Sequence, residues 1–186
     1  MKKFFILILS CTLFSGFIFS APAPLNTPLP VATLVPFPEL KATSLDNLEV
    51  DLTAAAKDKI TLFVLGFERK DQKDLDAWLD PFIKAAATDK VFTFFEVPMI
   101  DGGFAQLFAG FMQDGFKKLL SKEKASQAYL FFGDKSKYID LLKVTNTSDI
   151  QVFLTDKKTN IIWSATGAPD AVKLQALFSA MANSQK

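Results

Sequence analysis

The stretch 60–67, with the sequence ITLFVLGF, constrains the fold of this chain more than any other segment. A short run that is apolar throughout is typical of a central β-strand buried on both faces, whereas a half-buried strand alternates apolar and polar residues. The stretch 91–97, VFTFFEV, has a similar character and predicts a second central strand. Two such strands indicate a sheet that is covered by helices.

Strand and helix patterns alternate along the rest of the chain. The stretches 48–52 and 127–134 predict two further strands, and 150–165 predicts a hairpin around a short polar loop. Pro81 is expected to kink the helix that follows the first central strand, and Pro169 is expected in the first turn of the last helix. The order β–β–α–β–α–β–α–β–β–α predicts an α/β sandwich containing parallel strand pairs. The predicted helices cover 75–86, 103–120, 135–144 and 169–181.

The predicted helix 103–120 carries an unusually wide apolar stripe. Its apolar residues recur at i, i+3, i+4 and i+7, which is the spacing of one helix face. We expect this stripe to pack in the core, and a partner-binding or membrane-facing groove is the alternative. The stripe contains Phe104, Leu107, Phe108, Phe111, Met112, Phe116, Leu119 and Leu120.

Composition excludes several classes of function. The 20 phenylalanines, within a hydrophobic content of 49%, require a packed interior. A formal net charge of +1 and a single arginine argue against nucleic-acid binding, which needs clustered Lys and Arg. The chain has no histidine, and its one cysteine is Cys11. Because these residues are the commonest metal ligands, bases and thiol nucleophiles, we expect no catalytic residue, no metal and no cofactor in the mature protein.

Residues 1–20 have the layout of a secretory signal peptide, in which Lys2 and Lys3 precede an apolar run over 4–19. We therefore expect an exported protein, either periplasmic or secreted. Two alternatives stay open for this leader. The first alternative is an uncleaved membrane anchor formed by residues 4–19, and the second is a lipoprotein leader with a lipid attached at Cys11.

Residues 21–38 contain six of the nine prolines of the chain. Dense proline favours the extended polyproline II conformation, so we expect a semi-rigid spacer between the leader and a single domain over 39–183. A ligand for a proline-recognising protein is the alternative role of this spacer.

The order of these patterns resembles the thioredoxin-like fold, in which a buried strand leads into a proline-kinked helix and a closing hairpin leads into a last helix. Within that superfamily the chain most closely resembles the mitochondrial ATP synthase assembly factors, the ATP-ten family. The resemblance implies a three-layer sandwich, with a central mixed β-sheet and helices on both faces, and a role in assembling a membrane or envelope complex. It rests on five motifs: LGFER (65–69), WLDPF (78–82), YLFFGD (129–134), LLKVTN (141–146) and VFLTDKKTNIIWSATG (152–167).

The same resemblance implies which chemistry is missing. Counting back from Pro81, the redox Cys-x-x-Cys position falls near 73–76, KDLD, and the position of the usual cis-proline falls near Ile150. Disulfide exchange requires a thiolate, and the mature chain has none. We therefore expect the fold without oxidoreductase or peroxidase activity.

Arg69 is the strongest single candidate for a binding residue. It follows the first central strand, where α/β proteins place their sites, and its guanidinium suits carboxylates and interface ion pairs. The alternative for Arg69 is a plain surface charge. The alternative for the two tryptophans is packing in the core, and that for Asn146 is a turn or a helix cap. The candidate partner-binding residues are Arg69, Asp71, Trp78, Asn146, Trp163 and Gly167.

The leading hypothesis from the sequence is a non-catalytic binding or assembly protein whose partner is a protein segment, such as a subunit of a membrane complex. Peripheral association with a membrane belongs to this hypothesis, and nucleic acid is not an expected partner. Two alternatives remain. One is a carrier that encloses an apolar small molecule among its phenylalanines, and the other is an enzyme that uses carboxylates alone or a metal ion.

Overall fold

The computed structural model describes residues 34–68, 72–87, 89–103 and 108–185. Across these residues eight strands form one mixed sheet, and six helices accompany it. The strands are β1 (Val35–Pro36), β2 (Lys41–Ser44), β3 (Glu49–Asp51), β4 (Ile60–Gly66), β5 (Phe92–Asp101), β6 (Tyr129–Gly133), β7 (Gln151–Thr155) and β8 (Asn160–Thr166). The helices are α1 (Leu52–Ala55), α2 (Gln72–Ala86), α3 (Ala109–Leu119), α4 (Lys122–Ala125), α5 (Ser136–Leu141) and α6 (Ala171–Ser184).

β4 is a central strand of the sheet, as its apolar sequence predicts. It pairs in parallel with β5 on one side and antiparallel with β7 on the other, and it is buried from Ile60 to Leu65. β5 also runs parallel to β6, whereas the remaining neighbours pair antiparallel. The strand order is β1-β8-β7-β4-β5-β6-β2-β3. The predicted parallel pairs and the predicted β7–β8 hairpin are confirmed.

The alternation of side chains along β4 divides the core into two layers. Phe63 and Leu65 point to one side, where they pack in a cluster with residues of α1 and α5. Leu62 and Val64 point to the other side, where the cluster includes residues of α2 and α6. Helices therefore cover both faces of a mixed sheet, which confirms the predicted α/β sandwich.

The packed domain begins earlier than the proline pattern predicts. β1 pairs with β8, and the next residue, Phe37, is buried with its ring stacked on Phe63 at a centroid distance of 4.0 Å. β2 also precedes the strand predicted at 48–52. Residues 34–38, part of the predicted spacer, therefore belong to the packed domain, because strand pairing and the buried ring of Phe37 hold them to it.

The apolar stripe of α3 departs from the predicted core packing. Met112 and Phe116 are half-buried against a small cluster around Leu130, but Phe111 is 82% exposed and Leu119 is 78% exposed. Residues 104–107 of the predicted stripe lie outside the described residues. The prediction that this stripe packs in the core is wrong for Phe108, Phe111 and Leu119, whereas Met112, Phe116 and Leu120 do pack against the domain.

Polar contacts attach α3 to the turn after β2. Gln113 is the buried residue of α3, and its Nε2 donates to the Ser44 carbonyl at 3.1 Å. Lys117 Nζ lies 2.9 Å from Asp46 Oδ1. These contacts lie on the same side of α3 as Met112 and Phe116, so Phe111 and Leu119 are left on the outer side.

The two predictions made from proline differ in their outcome. α2 continues through Pro81 as far as Ala86, so this proline does not end the helix, and the kink at Pro81 stays a prediction. α6 begins after Asp170, whose Oδ1 accepts from the Lys173 amide at 2.8 Å as an N-cap. Pro169 thus precedes the helix and does not occupy its first turn, because the capping carboxylate stands between them.

Lys124 joins α4 to α2. Its Nζ lies 2.5 Å from Asp76 Oδ1 and 2.6 Å from Asp80 Oδ1, two carboxylates one helical turn apart. Burial lowers the pKa of Lys124, but hydrogen bonds and charge attraction from the two carboxylates outweigh burial and raise it above its usual value. The stability that this raised pKa contributes is fully present at neutral pH and is lost only as pH rises through it.

Candidate functional site at the carboxyl end of β4

A small cleft lies where β4 ends and β7 begins. The two strands are antiparallel, with Leu65 opposite Gln151, so the residues after β4 lie beside those before β7. Sites in α/β proteins commonly lie at the carboxyl ends of the strands. This strand-end cleft is lined by Gly66, Phe67, Glu68, Asp74, Thr147, Ser148, Asp149 and Ile150.

The loop 144–150 forms one wall of the strand-end cleft and is fixed by its own polar side chains. Asn146 Oδ1 accepts from the Ser148 amide at 3.0 Å, and its Nδ2 donates to Asp149 Oδ2 at 2.7 Å. Gln151, buried at the start of β7, donates from Nε2 to the carbonyls of Asn146 at 2.8 Å and of Asp149 at 3.1 Å. These local bonds set the shape of the loop in the way that Asx turns do.

Two longer-range hydrogen bonds hold this loop in place. Ser148 Oγ donates to Glu68 Oε1 at 3.0 Å, which ties the loop to the residues that follow β4. The Gly167 amide, just after β8, donates to the Ile150 carbonyl at 2.8 Å. This wall of the cleft therefore contacts the residues that follow β4 and β8, and it leads into β7.

The position of Gly167 depends on a buried tryptophan. Gly167 has a φ of +79°, in the left-handed region that favours glycine. Its carbonyl accepts from Trp78 Nε1 at 2.8 Å. Trp78 is 0% exposed, and its ring meets Trp163 edge-on at a centroid distance of 5.7 Å. The indole of Trp78 thus fixes the turn at Gly167, and this turn holds the loop 144–150.

Four of the candidate residues from the sequence come together here. Trp78, Trp163 and Gly167 form one chain of contacts, and Asn146 organises the loop that Gly167 holds. Trp78 presents no surface to a partner, so its effect on the cleft is to position the Gly167 turn. The other two candidates, Arg69 and Asp71, lie outside the described residues.

Several residues of the cleft were not indicated by the sequence patterns. Glu68, Ser148 and Gln151 each supply a hydrogen bond that shapes the cleft. One usable signal was present, because the stretch 145–149, TNTSD, is dense in turn-forming residues and directly precedes a strand. No local sequence pattern indicated the hydrogen bond from Ser148 to Glu68, because the two residues lie 80 positions apart.

The described rim of the strand-end cleft carries three carboxylates, those of Glu68, Asp74 and Asp149, and no lysine. An ionised carboxylate only accepts hydrogen bonds. The described part of the cleft therefore favours a group that donates them, such as a backbone amide or the cation of a Lys or Arg.

The cleft coincides with the position that the thioredoxin resemblance assigns to redox chemistry. Asp74, within 73–76, lines it, and so does Ile150, near the expected position of the cis-proline. The single cysteine of the chain is Cys11. Carboxylates therefore stand at the place where a thiol pair would be required for disulfide exchange.

Among the described residues, no three His, Cys, Asp or Glu side chains are grouped closely enough to hold a metal ion. The helices in the described part of the chain are all too short or too polar to cross a membrane.

A second cleft, of about 190 Å³, lies between α2, β5 and α4. Ile83, Phe92 and Phe94 contribute apolar surface to it, and Glu123 lies among its polar residues. Pockets for drug-sized ligands usually enclose about 300–1,000 Å³. This cleft is too small to favour the hypothesis of an apolar-molecule carrier.

Solved structures with the thioredoxin-like fold resemble this chain over most of its length. A structure assigned to the thiol:disulfide interchange protein DsbE of Chlorobium tepidum has a TM-score of 0.58 and 12% identity, covering 82% of this chain and 97% of that one. BsSco, a member of the Sco family of cytochrome c oxidase assembly proteins, has a TM-score of 0.57 and 10% identity, covering 82% and 95%. The exposed lipoprotein thioredoxin Etrx1 of Streptococcus pneumoniae has a TM-score of 0.51 and 12% identity, covering 77% and 98%. These likenesses confirm the predicted thioredoxin-like fold.

No curated protein matches the chain significantly. A family model described as ATP10 protein matches residues 31–183, which is most of the chain. The match covers all five motifs that carry the resemblance to the assembly factors, and it confirms that resemblance. The chain belongs to the ATP10 protein family.

Proposed function

We propose that this chain is an exported, non-catalytic assembly factor that binds a protein subunit of a membrane or envelope complex at the strand-end cleft. Membership of the ATP10 protein family supports the assembly role. The observation that carries the proposal is the network that fixes Asn146, Ser148 and Asp149 against Glu68 and Gly167. A wall held in one shape before binding loses little conformational entropy when a partner docks.

The proposal that the chain is non-catalytic is supported by the residue types that it lacks. Residues 21–186 contain neither cysteine nor histidine, so the mature chain has no thiolate for disulfide exchange and no imidazole base. The cleft retains the location of a thioredoxin site, while the three carboxylates on its described rim accept hydrogen bonds. Such a site suits recognition of a polypeptide.

The partner segment is a polypeptide that brings both donors and acceptors to the cleft. Glu68, Asp74 and Asp149 accept hydrogen bonds from its amides or basic side chains. Arg69 and Asp71, which follow Glu68 directly in the sequence, are proposed as further contacts, with the guanidinium of Arg69 donating to a carboxylate or to carbonyls of the partner.

The leader supports an extracytoplasmic site of action. Lys2, Lys3 and the apolar run 4–19 suit a signal peptide or a retained anchor, and both place the domain outside the cytoplasm. The partner is accordingly proposed to be an envelope or membrane protein that exposes a segment on that side.

Site-specific photocrosslinking tests the proposed binding site. A photoreactive residue at Thr147, in the cleft, is expected to capture one major partner from the host's envelope fraction. The matched control carries the same residue at Lys157, which is exposed in the turn at the opposite end of β7. Capture at least roughly tenfold stronger from Thr147 than from Lys157 would support a partner that occupies the cleft.

Two results would count against this proposal in different ways. Equal capture from Thr147 and Lys157 would remove the cleft as the binding site while leaving an assembly role in place. Absence of capture from both positions, in the envelope fraction and in intact envelopes, would contradict the proposal that the chain binds a stable protein partner.

Arg69→Lys is expected to weaken partner capture by roughly 1–3 kcal/mol, the range for a hydrogen bond to a charged group. The change keeps the positive charge but removes the planar guanidinium. If Arg69 serves binding alone, the free energy of unfolding is expected to change by less than about 0.5 kcal/mol. Binding titrations and urea unfolding of the same variant measure both quantities. A loss of stability with unchanged capture per folded molecule would end the functional claim for Arg69.

A further inference from the structure

The exposed face of α3 has no role in the strand-end cleft. Phe108, Phe111, Gly115 and Leu119 follow one another at spacings of three, four and four residues, so they share one face of the helix. Phe108, Phe111 and Leu119 are exposed large apolar side chains. These four residues form what we term the outer stripe of α3.

The outer stripe is a ridge and not a groove. Among the described residues, a Cβ atom added at Gly110 or at Gly115 would meet nothing within 4 Å, so the surface between Phe111 and Leu119 is open there. The two clefts described above contain no residue of α3. A protein partner would have to supply a groove for this ridge, whereas the headgroup layer of a bilayer admits protruding rings without one.

Lysines border the outer stripe. Lys118 follows Phe111 by seven residues, which places it beside the stripe, and Lys122 opens α4 immediately after it. Both are exposed, and neither forms an ion pair within the part of the chain that the structure describes. Lys117 instead pairs with Asp46 on the domain side of the helix. The exposed carboxylates nearby are those of Asp114, which lies farther round the helix from Phe111 than Lys118 does, and Glu123. Exposed rings bordered by lysines that form no described ion pair suit a negatively charged lipid surface.

We infer that the outer stripe of α3 docks on an anionic lipid bilayer, with Phe111 and Leu119 entering the headgroup region and Lys118 and Lys122 facing lipid phosphates. The inference is independent of the strand-end cleft and of the identity of any partner. It adds a second attachment besides the leader, and this attachment orients the domain on the membrane.

A nitroxide label at Gly115→Cys tests the docking. The label is placed in the full chain carrying Cys11→Ser, and it leaves Phe111 and Leu119 intact because the space around Gly115 is open. With vesicles of phosphatidylcholine and phosphatidylglycerol, the label is expected to lose access to a water-soluble nickel complex by about tenfold and to gain access to oxygen. The same label at Ala176→Cys, on the exposed face of α6, is expected to stay accessible to water.

The local label separates docking of α3 from attachment by the leader, since a chain held by its leader alone keeps position 115 in water. A water-accessible label on the vesicles would therefore overturn the inference. Protection that appears without vesicles as protein concentration rises would also overturn it, because a second copy would then cover the stripe. Protection that requires a captured protein partner would overturn it in the same way.

Charge reversal provides the second arm of the test. Lys118→Glu with Lys122→Glu is expected to weaken vesicle protection of the label at position 115 by about tenfold or more. The matched control is Lys84→Glu with Lys90→Glu, two exposed lysines outside α3 and α4, which is expected to leave protection unchanged. Equal effects of the two pairs, or none from either, would overturn the assignment of lipid phosphates to Lys118 and Lys122.

Discussion

Replacing Phe37 with alanine is expected to lower the free energy of unfolding by about 3–5 kcal/mol. The ring is 3% exposed, stacks on Phe63 at 4.0 Å and meets Phe153 edge-on at 5.9 Å. Its truncation removes a large buried apolar surface and leaves a cavity in one core layer. Urea unfolding of the purified chain, followed by far-ultraviolet circular dichroism, measures the effect.

Val35→Ala is the matched control for Phe37→Ala. Val35 belongs to β1, two residues away, but it is 55% exposed, and its truncation is expected to cost less than about 0.5 kcal/mol. Both variants keep the bond from the Phe37 amide to the Thr159 carbonyl at 2.8 Å. Equal losses from the two variants would mean that the stable domain begins after Pro38, as the proline pattern alone suggests.

The central strands could be predicted because their signal lies in their own residues. Every position of β4 from Ile60 to Leu65 is buried, so the strand is apolar at all of them except Thr61 and can be recognised without its partners. β1 spans two residues and β2 spans four, which is too short to establish a period. Their place in the sheet is set by contacts with β8 and β6, which lie more than a hundred and about eighty residues away in the chain.

The outcome for α3 has a similar cause. Periodicity identifies the apolar face of a helix, but it does not say whether the rest of the domain covers that face. The orientation follows from the packing of Met112 and Phe116 near Leu45 and from the bond between Gln113 and Ser44, and neither is visible in a local pattern. The apolar residues on the outside of α3 were therefore predicted as core residues.

Within the strand-end cleft, local hydrogen bonds could be predicted from the sequence, whereas bonds between distant residues could not. The turn formed by Asn146 and Asp149, three residues apart, follows from ordinary turn chemistry and could be anticipated from TNTSD. The bonds from Ser148 to Glu68 and from Trp78 to Gly167 span 80 and 89 residues. They determine where the turn lies, and they depend on the complete fold.

Trp78→Phe is expected to lower the free energy of unfolding by about 2–4 kcal/mol. The change removes part of a fully buried ring, and it leaves the Gly167 carbonyl without the indole N–H that donates to it at 2.8 Å. Because Gly167 also donates its amide to the Ile150 carbonyl at 2.8 Å, the loosened turn is expected to release the loop 144–150. Hydrogen exchange at the Gly167 amide should therefore accelerate more than exchange in β4.

Trp163→Phe is the matched control, since it truncates the other ring of the same edge-on pair and keeps the bond between Trp78 and Gly167. Trp163 is half-buried, so its replacement is expected to cost about 1 kcal/mol or less and to leave exchange at Gly167 unchanged. Equal unfolding free energies for the two variants, with Gly167 protected in both, would mean that Trp78 only packs in the core. Faster exchange at Gly167 in Trp78→Phe alone, together with weaker photocrosslinking from Thr147 per folded molecule, would establish Trp78 as the residue through which the hydrophobic core positions the strand-end cleft.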